Sequence, residues 1–552
     1  MSPLPHAALA APVITTQPPH IDYALLAPLL VVFAAGVLGV LVEAFVPRQR
    51  RRAVQFGLAA VALVVAFVLT VLRVGLLPAD GAGLTVASAS LAVDRPTLFF
   101  QGTILVMAIA SLLLVAEHRG ESSFAAQAAT VPGSEEERAH VIAGSQHTEV
   151  YPLVLFAVLG MLLFPASNDF LTMFIALEVM SLPLYLLCGL ARRRRLFSQE
   201  AAVKYFLLGA FSSAFFLFGI AMVYGYAGSV NFAVIRETVD AGGAGALPGG
   251  GPLLLLGIAL VGVGLLFKVG AVPFHNWKPD VYQGAPTPIT ALMASGTLVA
   301  AFGALLRVFY VAFGGSVEQW RPMMWVVAVL TMVLAAVVAV TQRDIKRLLA
   351  YSSVVHAGFV LTAVVAASPE GLAGAMFYLA AYGFTTVGAF AVVTLVRVHE
   401  GGAESGDLAT WAGLGRTSPL LAGSLGLFLL AFAGIPLTSG FIGKFAVFEA
   451  AVSAGATPLV VVGVLSSAVT AFFYVRIIVL MFFAEPASTQ PRVLRPGRFT
   501  GGVIGLGVVA TLVLGIFPGP VLAHLSPGAG AAETAEAPGG APAAPAELFA
   551  IR

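Results

Sequence analysis

Five residues that can take up or release a proton lie inside long apolar runs. They are Glu178 in FLTMFIALEVMSLPLYLL, Lys204 in QEAAVKYFLLGAF, Lys268 in GVGLLFKVGAVPFH, His356 in AYSSVVHAGF and Lys444 in GIPLTSGFIGKFAVF. An ionisable group at such depth costs several kcal/mol unless it is paired or hydrated, so its default reading is functional. Glu178 lies about ten residues from either end of its run, and at about 1.5 Å per residue its carboxylate does not reach an interface. It needs a partner or a proton. Lys268 is as deep, and Pro273 must disturb the backbone beside it. Lys204 lies only about five residues into its run, where snorkelling of the ammonium competes with a buried role. Lys444 follows Pro436 in a glycine-rich run. His356 has Ser352 and Ser353 nearby as hydrogen-bond partners, and reads either as a satisfied core histidine or as a proton relay. Arg307 and Arg476 sit nearer the ends of their runs and read as structural.

The chemistry open to such a set is proton carriage. Burial favours the neutral amine of a lysine, whereas a nearby carboxylate favours the ammonium. Moving Glu178 and Lys268 together or apart would switch the lysine between holding and releasing a proton. A swing of about a thousandfold in proton affinity is worth roughly 4 kcal/mol. Moving one charge against about 180 mV costs about the same. An ion pair therefore has the right magnitude, but it supplies no energy of its own.

The elements that must position these groups are membrane helices. The chain has 552 residues, 59% hydrophobic and 10% charged, and a mean hydropathy of +0.96, far from the composition of soluble domains. Apolar runs of roughly 20 residues recur, each long enough to cross about 30 Å of hydrocarbon, and the alternating pattern of a membrane barrel is absent. We expect an all-α membrane protein of about 14 transmembrane helices. A segment 1–23 precedes three helices in 24–116, and a polar loop, 117–148, leads to helices in 149–314 and 322–484. The last helix is 500–524, and the Pro/Ala/Gly-rich tail 526–552 reads as disordered, as does the stretch from Glu117 to Gln146. A cleaved signal peptide is not expected. The single cysteine, Cys188, provides neither a thiolate set for an iron–sulfur cluster nor a disulfide within the chain. The GVG at 262–264 lacks the strand–turn–helix setting of a dinucleotide site.

Basic residues concentrate in alternate loops. Those after odd-numbered spans hold Arg48, Arg50 to Arg52, Arg119, Arg138, Arg192 to Arg195, Lys278, Arg343, Lys346, Arg347, Arg397, Arg416, Arg492, Arg495 and Arg498. By the positive-inside rule these loops, including 117–148, face the cytoplasm, and both termini lie outside, in a multi-pass bacterial inner (plasma) membrane protein. The same rule explains RRRR at 192–195 without a phosphate or nucleic-acid site. Two runs, 251–281 and 418–449, exceed a simple span and contain interior prolines. Being an odd number of spans apart, they cross the membrane in opposite directions. Broken helices of opposed orientation mark an inverted repeat whose irregular backbone lines a hydrated cavity. The mirror is imperfect, because Lys268 precedes Pro273 whereas Lys444 follows Pro436.

The stretches FKVGAVPFHNWKPDVYQGAPTPI (267–289), KRLLAYSSVVHAGF (346–359) and GIPLTSGFIGKFAVF (434–448) resemble the antiporter-like membrane subunits of the proton-pumping NADH:quinone oxidoreductase, respiratory complex I. The resemblance covers roughly residues 24 to 525. The PDVYQGAP wording at 279–286 and the lysine at 444, where the M-type branch typically has glutamate, point to one branch of that family. The L-type branch ends in a long lateral helix that nothing after residue 525 would form. The resemblance implies two inverted five-helix repeats, spans 4–8 and 9–13, with discontinuous helices at spans 7 and 12. Glu178 matches the family's glutamate on span five, Lys204 the lysine on span six, Lys268 that on span seven and Lys444 that on span twelve. Members often carry a lysine in the middle of span eight, but TALMASGTLVAAFGALLRVF has no titratable group before Arg307. A continuous relay would have to pass that point through water, Thr297 or His356.

The resemblance also implies that NADH, FMN, iron–sulfur clusters and quinone belong to partner subunits, with no cofactor on this chain. The implied partners are the antiporter-like subunit M, the small subunits K and J, and the lipid bilayer, and not nucleic acid. The chain would then be a driven translocase module without redox chemistry of its own. Two other readings fit many of the same residues: a subunit of a multisubunit cation/proton antiporter or membrane-bound hydrogenase, and a non-conducting scaffold. The titratable row counts against the scaffold, since a passive helix packer has no use for such costly residues.

Overall fold

The computed structural model describes residues 21–78, 83–117, 124, 134–136, 148–191, 193–242, 250–398, 402–486 and 491–525. The expected disordered tail, most of the 117–148 loop and most of the N-terminal segment lie outside the described residues. What is described is predominantly helical. Three helices, α1 (Tyr23–Phe45), α2 (Arg48–Val74) and α3 (Arg95–Ala116), lead into α4 (Val150–Leu163), α5 (Phe170–Cys188) and α6 (Arg195–Ala227). A short α7 (Phe232–Asp240) precedes α8 (Gly251–Val269) and α9 (Trp277–Gly284). Then come α10 (Thr287–Ala312), α11 (Val317–Thr341), α12 (Ile345–Ala366) and α13 (Pro369–Val393). The series ends, single turns apart, with α14 (Pro419–Ala433), α15 (Ser439–Ser453), α16 (Thr457–Phe483), α17 (Arg498–Ile516) and a short α18 (Gly519–Leu525). Among the described residues twelve helices are long and apolar enough to cross a membrane, and α4 and α14 are apolar but shorter.

Helix starts follow local chemistry. Asp22, Asp94, Asp169, Asp344 and Ser368 each accept hydrogen bonds from backbone N–H groups of the turn they precede, satisfying donors that have no intrahelical partner. The two long runs are both interrupted, and by one device. Gly270 (φ 74°) and Gly434 (φ 81°) end α8 and α14 in the left-handed region. Ala271 N–H donates to Leu266 O at 2.9 Å, and Ile435 N–H donates to Leu430 O at 3.1 Å. These are matching Schellman closures, and Pro273 and Pro436 then prevent the helix from continuing. The run expected as 251–281 thus divides into α8 and α9, and that expected as 418–449 into α14 and α15.

Packing grades from the outside in. The apolar window of α10 is buried throughout and those of α12 and α13 are 94% buried, whereas those of α2, α6 and α16 are only 33% buried. The outer helices turn rows such as Phe211, Leu217 and Phe218 outward, as a lipid-facing surface requires. Helix α10 contains π-helical turns at Met293–Thr297 and Val308–Ala312, neither of which sequence periodicity foresaw. It is anchored to α3 by Arg307, whose guanidinium meets Asp94 at 2.6 Å with both side chains fully buried. The same guanidinium donates to Thr97 Oγ1 at 2.6 Å and Pro165 O at 2.7 Å. Arg307 is therefore held in a structural clamp, as its position near a helix end implied.

A second ionic cluster ties the loop after α13 to the starts of α10 and α12. Glu404 lies 3.6 Å from Lys346 and 3.7 Å from Arg397, and accepts a hydrogen bond from Thr287. Burial alone would raise its carboxyl, but Lys346 and Arg397 outweigh that and hold it below the usual glutamate range. A carboxyl lowered on folding stabilises above its unfolded value, and that stabilisation is lost as pH falls through the folded one. Glu404→Gln is therefore expected to lower the thermal midpoint of the purified protein at neutral pH. The deficit should shrink as the medium is acidified through the carboxylate range; a deficit constant with pH would contradict the assignment.

Candidate functional site

The interrupted helices bring a row of buried cations to the middle of the fold. Lys268 sits in the last turn of α8, 3% exposed. Its ammonium donates to Ser181 Oγ at 2.6 Å and to Tyr205 OH at 3.3 Å, and lies 5.2 Å from the centre of the Tyr205 ring. That ring stacks on Trp277 at 4.7 Å, and the Trp277 indole N–H donates to Phe267 O, one residue before the lysine. Helices α5, α6, α8 and α9 therefore all contribute to the pocket around one amine.

Glu178 stands one helical turn before Ser181 on α5, so the two side chains share a face. Its carboxylate accepts a 2.5 Å hydrogen bond from Ser213 on α6 and is only half-buried. Among the described residues no salt bridge joins Glu178 to Lys268; hydroxyl groups stand around both. The expected ion pair is not observed: the group the lysine touches is Ser181, one turn along α5 from Glu178. Serines and tyrosines set among large apolar residues were the overlooked signal.

Lys204 is placed differently. Its side chain is 41% exposed and pairs with Asp280 at 2.6 Å and Glu200 at 2.5 Å, and Asp280 also meets Arg347 at 2.5 Å. It belongs to an ionic cluster of α6, α9 and α12 outside the buried row, the outcome that its shallow position left open.

In the second half Lys444, 6% exposed, reaches back from α15 to the C-terminal carbonyls of α14. Its ammonium donates to Phe432 O at 2.9 Å, Ala433 O at 2.8 Å and Ser467 Oγ at 2.8 Å. The last carbonyls of a helix carry partial negative charge and have no intrahelical donor, so a cation there is favoured without any carboxylate. His356 is fully enclosed on α12. Its Nδ1 lies 2.6 Å from Tyr378 OH and its Nε2 3.2 Å from Tyr474 OH. Ser352 does not bond the histidine as its proximity in sequence suggested; it shares Tyr474 OH with it. A cavity beside the ring is lined by His356, Tyr378, Tyr382, Thr385 and Ser439. Among the described residues the side-chain hydroxyl of Thr297 contacts only the Met161 sulfur, at 4.0 Å. Arg476 bonds the backbone carbonyls of Val340 and Gln342.

One cation was misplaced by the loop-charge reading. Lys278 is only 1% exposed and is no part of a cytoplasmic loop. It lies in the first turn of α9, where the chain re-enters the core after the break. Its ammonium donates to Val269 O at 2.7 Å and to Ser353 Oγ at 3.0 Å. Its flanking Trp277, Val281 and Tyr282, all buried, were the sequence signal that this segment turns inward.

Residues 167–470, which contain every group in the row, match the family described as NADH:quinone oxidoreductase/Mrp antiporter, TM. NADH-quinone oxidoreductase subunit N of Thermobifida fusca is 77% identical over 551 residues, covering 100% of both chains. The chain belongs to the subunit N family of NADH-quinone oxidoreductase. A subunit N relative from Mycobacterium tuberculosis is 54% identical over 91% of this chain and 97% of its own. Among solved structures, a chain of respiratory complex I from Thermus thermophilus with bound aureothin superposes with a TM-score of 0.72 at 32% identity, over 91% of this chain and 99% of that one. The fold is also that of a chain of the Mrp complex from Dietzia, with a TM-score of 0.76 at 22% identity, over 92% of this chain and 96% of the other.

Proposed function

We propose that this subunit N family member translocates protons in the membrane arm of a bacterial NADH:quinone oxidoreductase, driven by electron transfer from NADH to quinone in partner subunits. The observation that carries this reading is the row of buried amines at two helix breaks, framed by hydroxyls and phenols that can pass a proton. Glu178, Lys268, His356 and Lys444 are its proton-handling groups, with Lys204 at an ionic cluster beside it. Two inverted five-helix repeats, within a total of 14 crossings, account for the matched closures at Gly270 and Gly434. NADH, FMN, iron–sulfur clusters and quinone belong to partner subunits. The partners are the neighbouring antiporter-like subunit M and the small subunits K and J. The chain is multi-pass in the inner membrane, with both termini outside, as the basic loops favour.

The test is purification of the tagged chain from its native membrane in mild detergent. NADH:quinone oxidoreductase activity should travel with it, and the complex in proteoliposomes should acidify the lumen when NADH is added. A tagged chain that purifies with cation/proton exchange partners and no NADH:quinone activity would overturn the reading.

A further inference from the structure

Lys278 has the same relation to the first helix break that Lys444 has to the second. Each follows the left-handed glycine and the proline of its interruption, lies in the re-entering half-helix, and turns its ammonium back to the last carbonyls of the preceding one. In both cases the glycine makes room: a Cβ at Gly270 would meet the Lys278 stem, and one at Gly434 would lie 2.9 Å from Lys444 Cδ. The mirror partner of Lys444 is thus Lys278, and the sequence mismatch between Lys268 and Lys444 disappears.

Lys278 also has a place along the row that no other amine has. Its carbonyl acceptor belongs to Val269, the residue next to Lys268, and its hydroxyl acceptor is Ser353 on α12, one turn before His356. Ser352 and His356 on that helix share Tyr474 OH, and Lys444 Nζ lies 4.9 Å from the centre of the Phe359 ring on the same helix. The first half of the row and the second therefore meet at Lys278. Helix α10 offers no titratable group before Arg307.

Building on the function proposed above, we infer that Lys278 is the proton carrier joining the two halves. Lys268 and Lys278 meet at the same end of α8, where Lys278 bonds the carbonyl of the residue next to Lys268. The proton leaves the Lys268 ammonium, which becomes a neutral amine, and protonates the neutral Lys278 amine. Lys278 then gives it to the Ser353 oxygen as that hydroxyl passes its own proton on toward His356, and is neutral again.

Lys278→Arg separates a carrier from a mere cap. Arginine keeps the positive charge at the Val269 carbonyl but does not release its proton. Positioned proton transfer contributes about 10²–10⁴-fold, so in proteoliposomes of the assembled complex NADH-driven proton uptake should fall at least about tenfold. Lys278→Met should do the same. Recovery of at least half of the uptake in Lys278→Met when Thr297→Lys is added would support the bridging role directly. Wild-type uptake per NADH in Lys278→Arg would overturn the inference, as would failure of both variants to assemble, which would make the lysine a structural cap. Failure of the underlying function is distinguishable, because the wild-type complex itself would then show no NADH-driven uptake.

Discussion

Lys268→Ala is expected to abolish or severely reduce proton pumping by the assembled complex while leaving the complex intact on native gels. The amine is buried, touches only Ser181 and Tyr205 as hydrogen-bond acceptors, and is nearly free of solvent. Removing it leaves two hydroxyl groups that can satisfy one another or a water, so folding loses little. The path loses the one group in the first half whose charge can answer to Glu178. A thousandfold change in proton affinity, roughly 4 kcal/mol, has to be generated there, and hydroxyls alone do not provide it. The measurement is the ratio of protons moved to electrons transferred in proteoliposomes. An unchanged ratio in fully assembled Lys268→Ala complex would remove the lysine from the mechanism.

The second large effect is expected at the clamp between α3 and α10. Asp94→Asn should cost about 3–5 kcal/mol of stability, because it strands the Arg307 charge in a fully buried site. Arg307→Met should be similarly damaging, since it leaves the Asp94 carboxylate without its cation. Asp94→Leu combined with Arg307→Met removes both charges and should recover much of the loss, as replacement of a buried ion pair by apolar groups often does. Asp94 also accepts from Thr97 N–H at 2.8 Å as the cap of α3, so the double variant keeps a residual deficit of about 1 kcal/mol. Thermal inactivation of the purified complex reads all three. A single variant as stable as wild type would show that the clamp contributes nothing.

Much of the fold was legible because the bilayer constrains it so strongly. Run length was enough to find a predominantly helical membrane protein, and the two interior prolines marked its two helix breaks. The burial of Lys268 was anticipated by counting residues to the ends of its run, and that of Lys444 by its place after Pro436 in a glycine-rich run. Partners were not legible: Asp94 and Arg307 are 213 positions apart, and no local pattern links them. The rule that assigned Lys278 to a loop failed for a physical reason. It assumes that a basic residue after a span has left the membrane, whereas a chain closed by Gly270 and turned by Pro273 re-enters the core instead. The imperfect mirror between Lys268 and Lys444 is resolved, on our inference, by pairing Lys444 with Lys278 instead.

The backbone carbonyls that hold Lys278 and Lys444 cannot be substituted by mutation and do not titrate. The attraction they exert is fixed once the two half-helices have closed, whatever side chains drift around them. Of the three amines at the helix breaks, Lys268 alone bonds a side chain, Ser181, that shares a helix face with a carboxyl group, Glu178. Two of these three amines are thus set by chain geometry and one by side-chain neighbours, so natural variation that retunes this path should accumulate around Glu178 and Ser181.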